Sequence, residues 1–186
     1  MPISRNEALE VLRRYVRNEN MIRHSLASEA ILRGIARRLG QDEDKWGLAG
    51  LLHDIDVEVT HAEPAIHGTQ ADALLKDYDM DPEVLDAIRM HNEDSAGKER
   101  TTVFQHALAA GETISGLIFA TTYVYPDKKL SSVKPKSVVK RMKEKAFAAS
   151  VRRESIMECE KIGIPIDEFA ALCISSLLPI AEEIGL

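Results

Sequence analysis

Apolar residues recur at helical spacing along nearly the whole chain, and no segment alternates apolar and polar residues as a half-buried strand does. In "SRNEALEVLRRYV" the residues Leu9, Leu12 and Val16 fall on one helical face. Ser4 followed by Glu7 predicts a capping box at the start of that helix. We therefore expect an all-α fold, a single-domain helical bundle.

Breaks in the periodic pattern give the expected helix boundaries. Further helices are expected at 21–40 with Gly40 as the terminating residue, at 43–54, at about 67–77, at 81–91 with Pro82 in the first turn, at 101–121, and in two or three pieces after 135 with a break near Pro165. The segment 55–66 has no clear period and predicts a loop. No linker interrupts the chain, so residues 1–186 are expected to form one domain. Its site motifs lie within about 20–125, and C-terminal helices at 135–186 pack on the same core.

Composition argues against several classes of protein. The net charge of −6 is unfavourable for a protein that coats nucleic acid. Two cysteines, Cys159 and Cys173, are too few for a disulfide framework, and both are expected as buried thiols. No apolar run reaches the roughly 20 residues that span a membrane, and the first residues lack the apolar centre of a signal peptide. We therefore expect a cytoplasmic protein.

The histidines are unevenly distributed. All six lie between positions 24 and 106, and four of them sit inside or at the edge of expected apolar helices. The apolar run "GLAGLL" ends in His53 and Asp54, two ionisable residues that are costly to bury without partners. A lone histidine on such a face is usually a hydrogen-bonded core residue. Four on neighbouring helices, together with the doublet, favour one shared metal site.

The doublet needs a particular backbone geometry to serve one site. Adjacent helical side chains point about 100° apart, so both can reach a common centre only where the helix ends. A carboxylate there has two oxygens and can bridge two metals. A mixed imidazole and carboxylate set favours a divalent first-row transition metal, although the identity stays open among Fe, Mn, Zn, Ni, Co and Mg.

The ordered pattern "RHS…LLHDID…HG…HNE" resembles the HD-domain superfamily of metal-dependent phosphohydrolases, and its spacing is similar to the HDIG-type branch. The resemblance implies an all-α bundle with a mono- or binuclear metal site. It also implies that His24, His53 and Asp54 hold a first metal. Asp54 would bridge to a second metal held by His67 and His91.

Two positions depart from the pattern of that family. The family closes the site with an acidic residue, usually aspartate, in a motif like "AADxLSGL", whereas this chain reads "AAGETISGL" and places Glu112 there. Glutamate is one methylene longer, so it either binds directly, binds through a water, or weakens the first site. Many members also carry a lysine shortly after the doublet, where this chain has Val57, so that phosphate contact is absent from this position.

Several charged residues lie beside the expected ligands. Asp56, Glu58 and Glu93 can orient imidazole N–H groups, or can be solvated loop charges. His61 lies in the expected loop and faces either substrate or water. His106 lies six residues before Glu112, on a different helical face, so it is not expected to act as a ligand beside it.

One segment is strongly basic. The stretch 128–145 holds seven lysines, one arginine and one glutamate, a local charge of +7. It is either a solvated helix face or an attractor of phosphorylated substrates. It lacks interleaved aromatic residues, so binding of single-stranded nucleic acid is not expected.

Together these features predict a metal-dependent phosphohydrolase that cleaves a small phosphomonoester or phosphodiester, such as a nucleotide. Metal-activated water would be the nucleophile, with Asp54 and His53 at the catalytic centre. The expected partner is a small phosphorylated substrate rather than a membrane or a nucleic acid, and a homo-oligomer is left open. Two alternatives remain: a non-catalytic metal-containing binding or regulatory module, and a di-iron oxygenase.

Overall fold

The structure is a computed structural model that describes residues 3–186, and this part of the chain is all-α with no β-strand. The helices are α1 (Arg5–Tyr15), α2 (Glu19–Leu39), α3 (Glu43–Leu52), α4 (Ala71–Leu74), α5 (Pro82–Met90), α6 (Glu93–Ala96), α7 (Val103–Tyr123), α8 (Pro135–Met142), α9 (Arg153–Met157), α10 (Ile166–Leu177) and α11 (Ala181–Ile184). Single 3-10 turns occupy Leu130–Ser132, Glu158–Ile162 and Leu178–Ile180.

The predicted helix signals act where expected at the first two helices. Ser4 and Glu7 form the capping box of α1, because each side chain accepts a hydrogen bond from the other residue's backbone N–H. Gly40 ends α2 in the left-handed conformation, with a φ of 68° that a glycine adopts at little cost. The long α2 therefore ends cleanly before α3 turns back across it.

Helices α2, α3 and α7 form the centre of the bundle. Leu32, Leu51 and Ile114, one from each of these helices, are completely buried. The backbones of α2 and α3 approach closely at Gly50, where an added Cβ would lie 2.6 Å from the carbonyl oxygen of Ser28. This close crossing brings the C-terminal end of α3 against the N-terminal half of α2.

The helix expected at about 67–77 is wrong in extent. Only Ala71–Leu74 is helical, and turns occupy most of the chain from 53 to 70. Asp56 explains the later start, because its buried carboxylate accepts the backbone N–H groups of Gly68 and Gln70 at 2.8–3.0 Å. These hydrogen bonds favour a tight loop over an earlier helix start.

The C-terminal elements contribute to the same apolar cluster as the central helices. Ile156, Phe169, Cys173 and Leu177 are among its buried members, and both cysteines are free and buried as expected. Within residues 3–186 no single helix has the length and apolarity of a membrane span. One pair of helical segments, Arg153–Ile162 and Ile166–Ile184, is long and apolar enough when taken together, but it is bent by 100°. That the chain is one folding unit stays a prediction.

Candidate metal centre

Four helices and one loop supply six side chains to a single centre. The contributing residues are His24 from α2, His53 and Asp54 at the end of α3, His67 from the loop before α4, His91 at the end of α5 and Glu112 from the middle of α7. His53, Asp54 and His91 lie at or just after helix ends, whereas His24 and Glu112 lie within the packed helices α2 and α7. Every residue that the sequence proposed as a ligand is therefore present at this centre.

The six side chains form two groups. In the first group Nε2 of His24 lies 3.1 Å from Nε2 of His53, and an Oε2 of Glu112 lies 3.7 Å from the same His24 nitrogen. In the second group Nε2 of His67 lies 3.1 Å from Nε2 of His91. Each group offers two imidazole nitrogens and at least one carboxylate oxygen within reach of a single cation.

Asp54 joins the two groups. Its Oδ2 lies 3.5 Å from Nε2 of His24 and 3.3 Å from Nε2 of His53. Its Oδ1 lies 2.9 Å from Nε2 of His67 and 3.4 Å from Nε2 of His91. One carboxylate thus turns one oxygen toward each group, the arrangement that a bridging ligand requires.

The first group has two nitrogen lone pairs facing each other. Nδ1 of His53 donates to the carbonyl of Gly50 at 2.8 Å, so Nε2 of the neutral ring carries no proton. Ser115 donates its hydroxyl to the carbonyl of Glu112 at 2.7 Å and therefore accepts from Nδ1 of His24 at 3.0 Å. Two unprotonated nitrogens 3.1 Å apart repel each other, and a cation between them removes that repulsion.

The second group is anchored in a similar way. Nδ1 of His91 donates to the carbonyl of Ile88 at 2.6 Å, which leaves its Nε2 free to face the centre. Nδ1 of His67 lies 2.8 Å from Oδ1 of Asp56, an ion-pair contact in which the ring N–H is poorly aligned for a hydrogen bond. Asp56 therefore holds both the ring of His67 and the loop that carries it.

The electrostatics of the centre favour positive charge. Burial lowers the pKa of His24, whereas for His53 the effect of burial is outweighed by the Asp54 carboxylate, which raises the pKa. At His67 the effect of burial is outweighed by Asp54 and Asp56, and the pKa rises to about 10. Burial of Asp54 is in turn outweighed by the surrounding imidazoles, which hold its pKa well below the usual range. A cation that binds to the second group would take the place of the His67 proton.

A family model for the HD domain matches residues 21–132, more than half of the chain and all six residues of the centre. The chain belongs to the HD domain family. This confirms the predicted membership of the metal-dependent phosphohydrolase superfamily, while the HDIG-type branch stays a prediction.

Curated relatives of this HD domain match about half of the chain. Ribonuclease Y of Nitratidesulfovibrio vulgaris is 33% identical over 99 residues, which are 53% of this chain and 18% of the relative. Ribonuclease Y of Oleidesulfovibrio alaskensis is 31% identical over 99 residues, with the same shares. Ribonuclease Y of Mycoplasma capricolum is 32% identical over 97 residues, 52% of this chain and 18% of the relative. The match thus spans less than a fifth of each relative, and no solved structure matches the chain.

The charged residues that the sequence places beside the ligands have different contacts in the HD domain. Asp56 contacts His67 as described above. The Oε1 of Glu58 accepts two backbone N–H groups at the start of α2, each at 2.7 Å, and Oε1 of Glu93 accepts the N–H of Arg100 at 3.1 Å. Both carboxylates thus hold backbone N–H groups, and their orienting role toward imidazoles stays a prediction. His61 is exposed in the loop, with a φ of 52°.

The sequence did not indicate three residues that support the centre, two within the HD domain and one in the C-terminal part of the chain. Ser115 orients His24, and its position in "ETISGL", one turn after Glu112, is a signal that could have found it. Arg100 and Glu158 form a buried ion pair behind His91, and their separation of 58 residues gives no local signal. His106 contacts Glu158 at 2.7 Å, consistent with its exclusion as a ligand.

The basic segment 128–145 has all seven of its lysines exposed. Next to it, the guanidinium of Arg153 donates to backbone carbonyls, among them those of Ala148 and Val151, and so organises a turn. The solvated face and the attraction of substrate both remain compatible with this placement.

Proposed function

We propose that this HD domain hydrolyses a small phosphomonoester or phosphodiester, such as a nucleotide, with water as the nucleophile. The observation that carries the proposal is the position of Asp54, whose two oxygens face two separate pairs of imidazole nitrogens. Paired metal positions that share a carboxylate are typical of enzymes that displace an oxygen at phosphorus.

The residues divide into two sets of ligands under this proposal. His24, His53 and Glu112, with Oδ2 of Asp54, would hold one divalent ion. His67 and His91, with Oδ1 of Asp54, would hold the other. Ions bound there would lower the pKa of a water and neutralise charge on the phosphoryl group. The residues themselves keep the lone pairs aimed inward through hydrogen bonds to the backbone and to Ser115.

The relatives extend the range of substrates that should be tested. By its name Ribonuclease Y is a ribonuclease, and it is 33% identical to this chain over 99 residues. This name supports a phosphorylated substrate, but it does not support the expectation that nucleic acid is not a partner. Short oligoribonucleotides belong in the test beside nucleotides and sugar phosphates.

The substitution Asp54→Asn tests the proposal. It keeps the shape of the side chain and removes the bridging charge, so metal content should fall and phosphoester hydrolysis should drop by roughly 100-fold or more. The measurements are elemental analysis after incubation with Mn²⁺ and a hydrolysis screen with Mn²⁺, Co²⁺, Ni²⁺ or Fe²⁺. The control is Asp94→Asn, an exposed aspartate on α6.

Hydrolysis by Asp54→Asn at the wild-type rate would contradict the proposal. A wild-type protein that keeps its metal and hydrolyses none of the esters would favour the non-catalytic module. Oxygen consumption with ferrous iron would favour the oxygenase.

A further inference from the structure

A buried arginine lies directly behind the second group of ligands. The side chain of Arg100 is only 4% exposed. Its Nη1 donates to the carbonyl of Met90 at 2.9 Å and to the carbonyl of His91 at 3.2 Å. These carbonyls belong to the end of α5, where helical carbonyls lack partners of their own and a cation is favourable. Arg100 thus holds the backbone of His91.

The counter-ion of this arginine comes from outside the region that the family model matches. Glu158, at the junction of α9 and the following 3-10 turn, accepts from Nε of Arg100 at 2.9 Å and from Nη2 at 2.5 Å. His106 on α7 contacts the same carboxylate at 2.7 Å. Glu158 is itself 8% exposed, so three ionisable groups are buried together and satisfy one another.

The contacts continue from this network to the candidate metal position. The carbonyl of His91 is fixed by Arg100, and Nδ1 of His91 donates to the carbonyl of Ile88 in the same turn. The direction of Nε2 of His91 therefore depends on how this last turn of α5 is held. Without Glu158 the buried guanidinium of Arg100 would keep only the carboxylate of Glu93 nearby. An oxygen of Glu93 lies 3.5 Å from Nη2 of Arg100.

We propose that Glu158 is a positioning residue for the metal position formed by His67, His91 and Asp54, and that it acts through Arg100. The inference rests on the metal centre of the proposed function. It assigns to the C-terminal part of the chain a role in the geometry of that centre. Neither Glu158 nor Arg100 is among the residues that would touch the metal or the substrate.

Titration with Co²⁺ alone tests the proposal, because its visible absorption reports the ligand geometry. In this titration each metal position should give its own Co²⁺-binding step. The step that is lost in His91→Ala is the one that belongs to the position of His67, His91 and Asp54. In Glu158→Gln that step should weaken by roughly 10- to 100-fold and its absorption band should change, while the other step stays as in the wild type. The matched control is Glu154→Gln, an exposed glutamate on α9 that should leave both steps unchanged.

A double variant separates positioning from stability. Arg100→Met combined with Glu158→Gln removes both buried charges. The free energy of unfolding, measured with denaturant, should therefore be closer to the wild-type value than in Glu158→Gln alone. The hold on the carbonyls of Met90 and His91 is still lost, so the weak Co²⁺ step should persist. A double variant that binds Co²⁺ like the wild type would overturn the proposal, as would Glu158→Gln with an unchanged step.

The two proposals fail differently. A wild-type protein that lacks the step abolished by His91→Ala contradicts the metal centre and this inference with it. A wild-type protein that shows the step, with Glu158→Gln indistinguishable from it, contradicts this inference alone.

Discussion

At the scale of single residues, the centre is defined by where protons sit on imidazole rings. Carbonyl groups can only accept, so Gly50 and Ile88 force the protons of His53 and His91 onto Nδ1. Ser115 does the same for His24 through its own hydrogen bond to a carbonyl. The Nε2 lone pairs of these three neutral rings are therefore available to a cation before any cation binds.

Removal of the Ser115 hydroxyl should weaken the first metal position. In Ser115→Ala the Nδ1 of His24 loses its acceptor, so the ring can rotate and the proton can move to Nε2. We expect the affinity for a cation at this position to fall by roughly 10-fold, with the second position unchanged. Calorimetric titration with Mn²⁺ measures this.

The control for this prediction is Ser175→Ala, an exposed serine on α10 whose hydroxyl also donates to a helix carbonyl. Superimposable titration curves for Ser115→Ala and the wild type would show that Ser115 does not orient His24.

The resemblance to the HD-domain pattern implied the candidate ligands, which the structure brings together, but the sequence predicted only part of what supports them. The histidines on neighbouring expected helices favoured one shared site, and the resemblance implied that His24, His53, His67 and His91 are ligands. The roles of Glu58 and Glu93 could not be predicted in the same way. Their carboxylates hold backbone N–H groups, a function that depends on turns which the sequence does not specify.

At the scale of elements, the crossing of α2 and α3 sets the position of the doublet. Gly50 lets the two backbones approach, and its carbonyl also accepts from His53. One glycine thus serves the packing and the site together.

A methyl group at this crossing should be destabilising. In Gly50→Ala the new Cβ would meet the backbone of Ser28 at 2.6 Å, and backbone cannot move aside as a side chain can. We expect a loss of about 1–3 kcal/mol in the free energy of unfolding, measured by urea denaturation. Gly116→Ala is the control, because there the nearest atom is a methyl of Val151 at 3.3 Å and the change should be nearly neutral.

A Gly50→Ala protein as stable as the wild type would mean that α2 and α3 are farther apart than described.

Helix prediction succeeded where local signals act alone and failed where a distant residue intervenes. The capping box at Ser4 and the stop at Gly40 depend on neighbours in sequence, and both are confirmed. The helix expected at about 67–77 is shortened by Asp56, more than ten residues away. Periodicity alone does not register such a contact.

At the scale of the whole molecule, the C-terminal helices share the apolar cluster of the matched HD domain region. The buried side chain of Phe169 on α10 belongs to this cluster, and the ion pair of Glu158 with Arg100 links the two parts. This arrangement favours one cooperative unit, as the absence of a linker in the sequence predicts.

Thermal unfolding should show a single transition whose calorimetric and van't Hoff enthalpies agree. Phe169→Ala should shift that whole transition, with a loss of about 3–5 kcal/mol in the free energy of unfolding. Scanning calorimetry of both proteins makes the comparison. Two transitions, of which Phe169→Ala lowers only one, would contradict a single domain.

The most direct test of the proposed metal centre is to locate cations by anomalous diffraction from crystals grown with Mn²⁺. We expect two peaks about 3.5–4 Å apart. One should lie among His24, His53 and Glu112 and the other between His67 and His91, with the Asp54 carboxylate between the peaks. No peak beside Asp54, or peaks only at other acidic residues, would contradict the proposed metal centre.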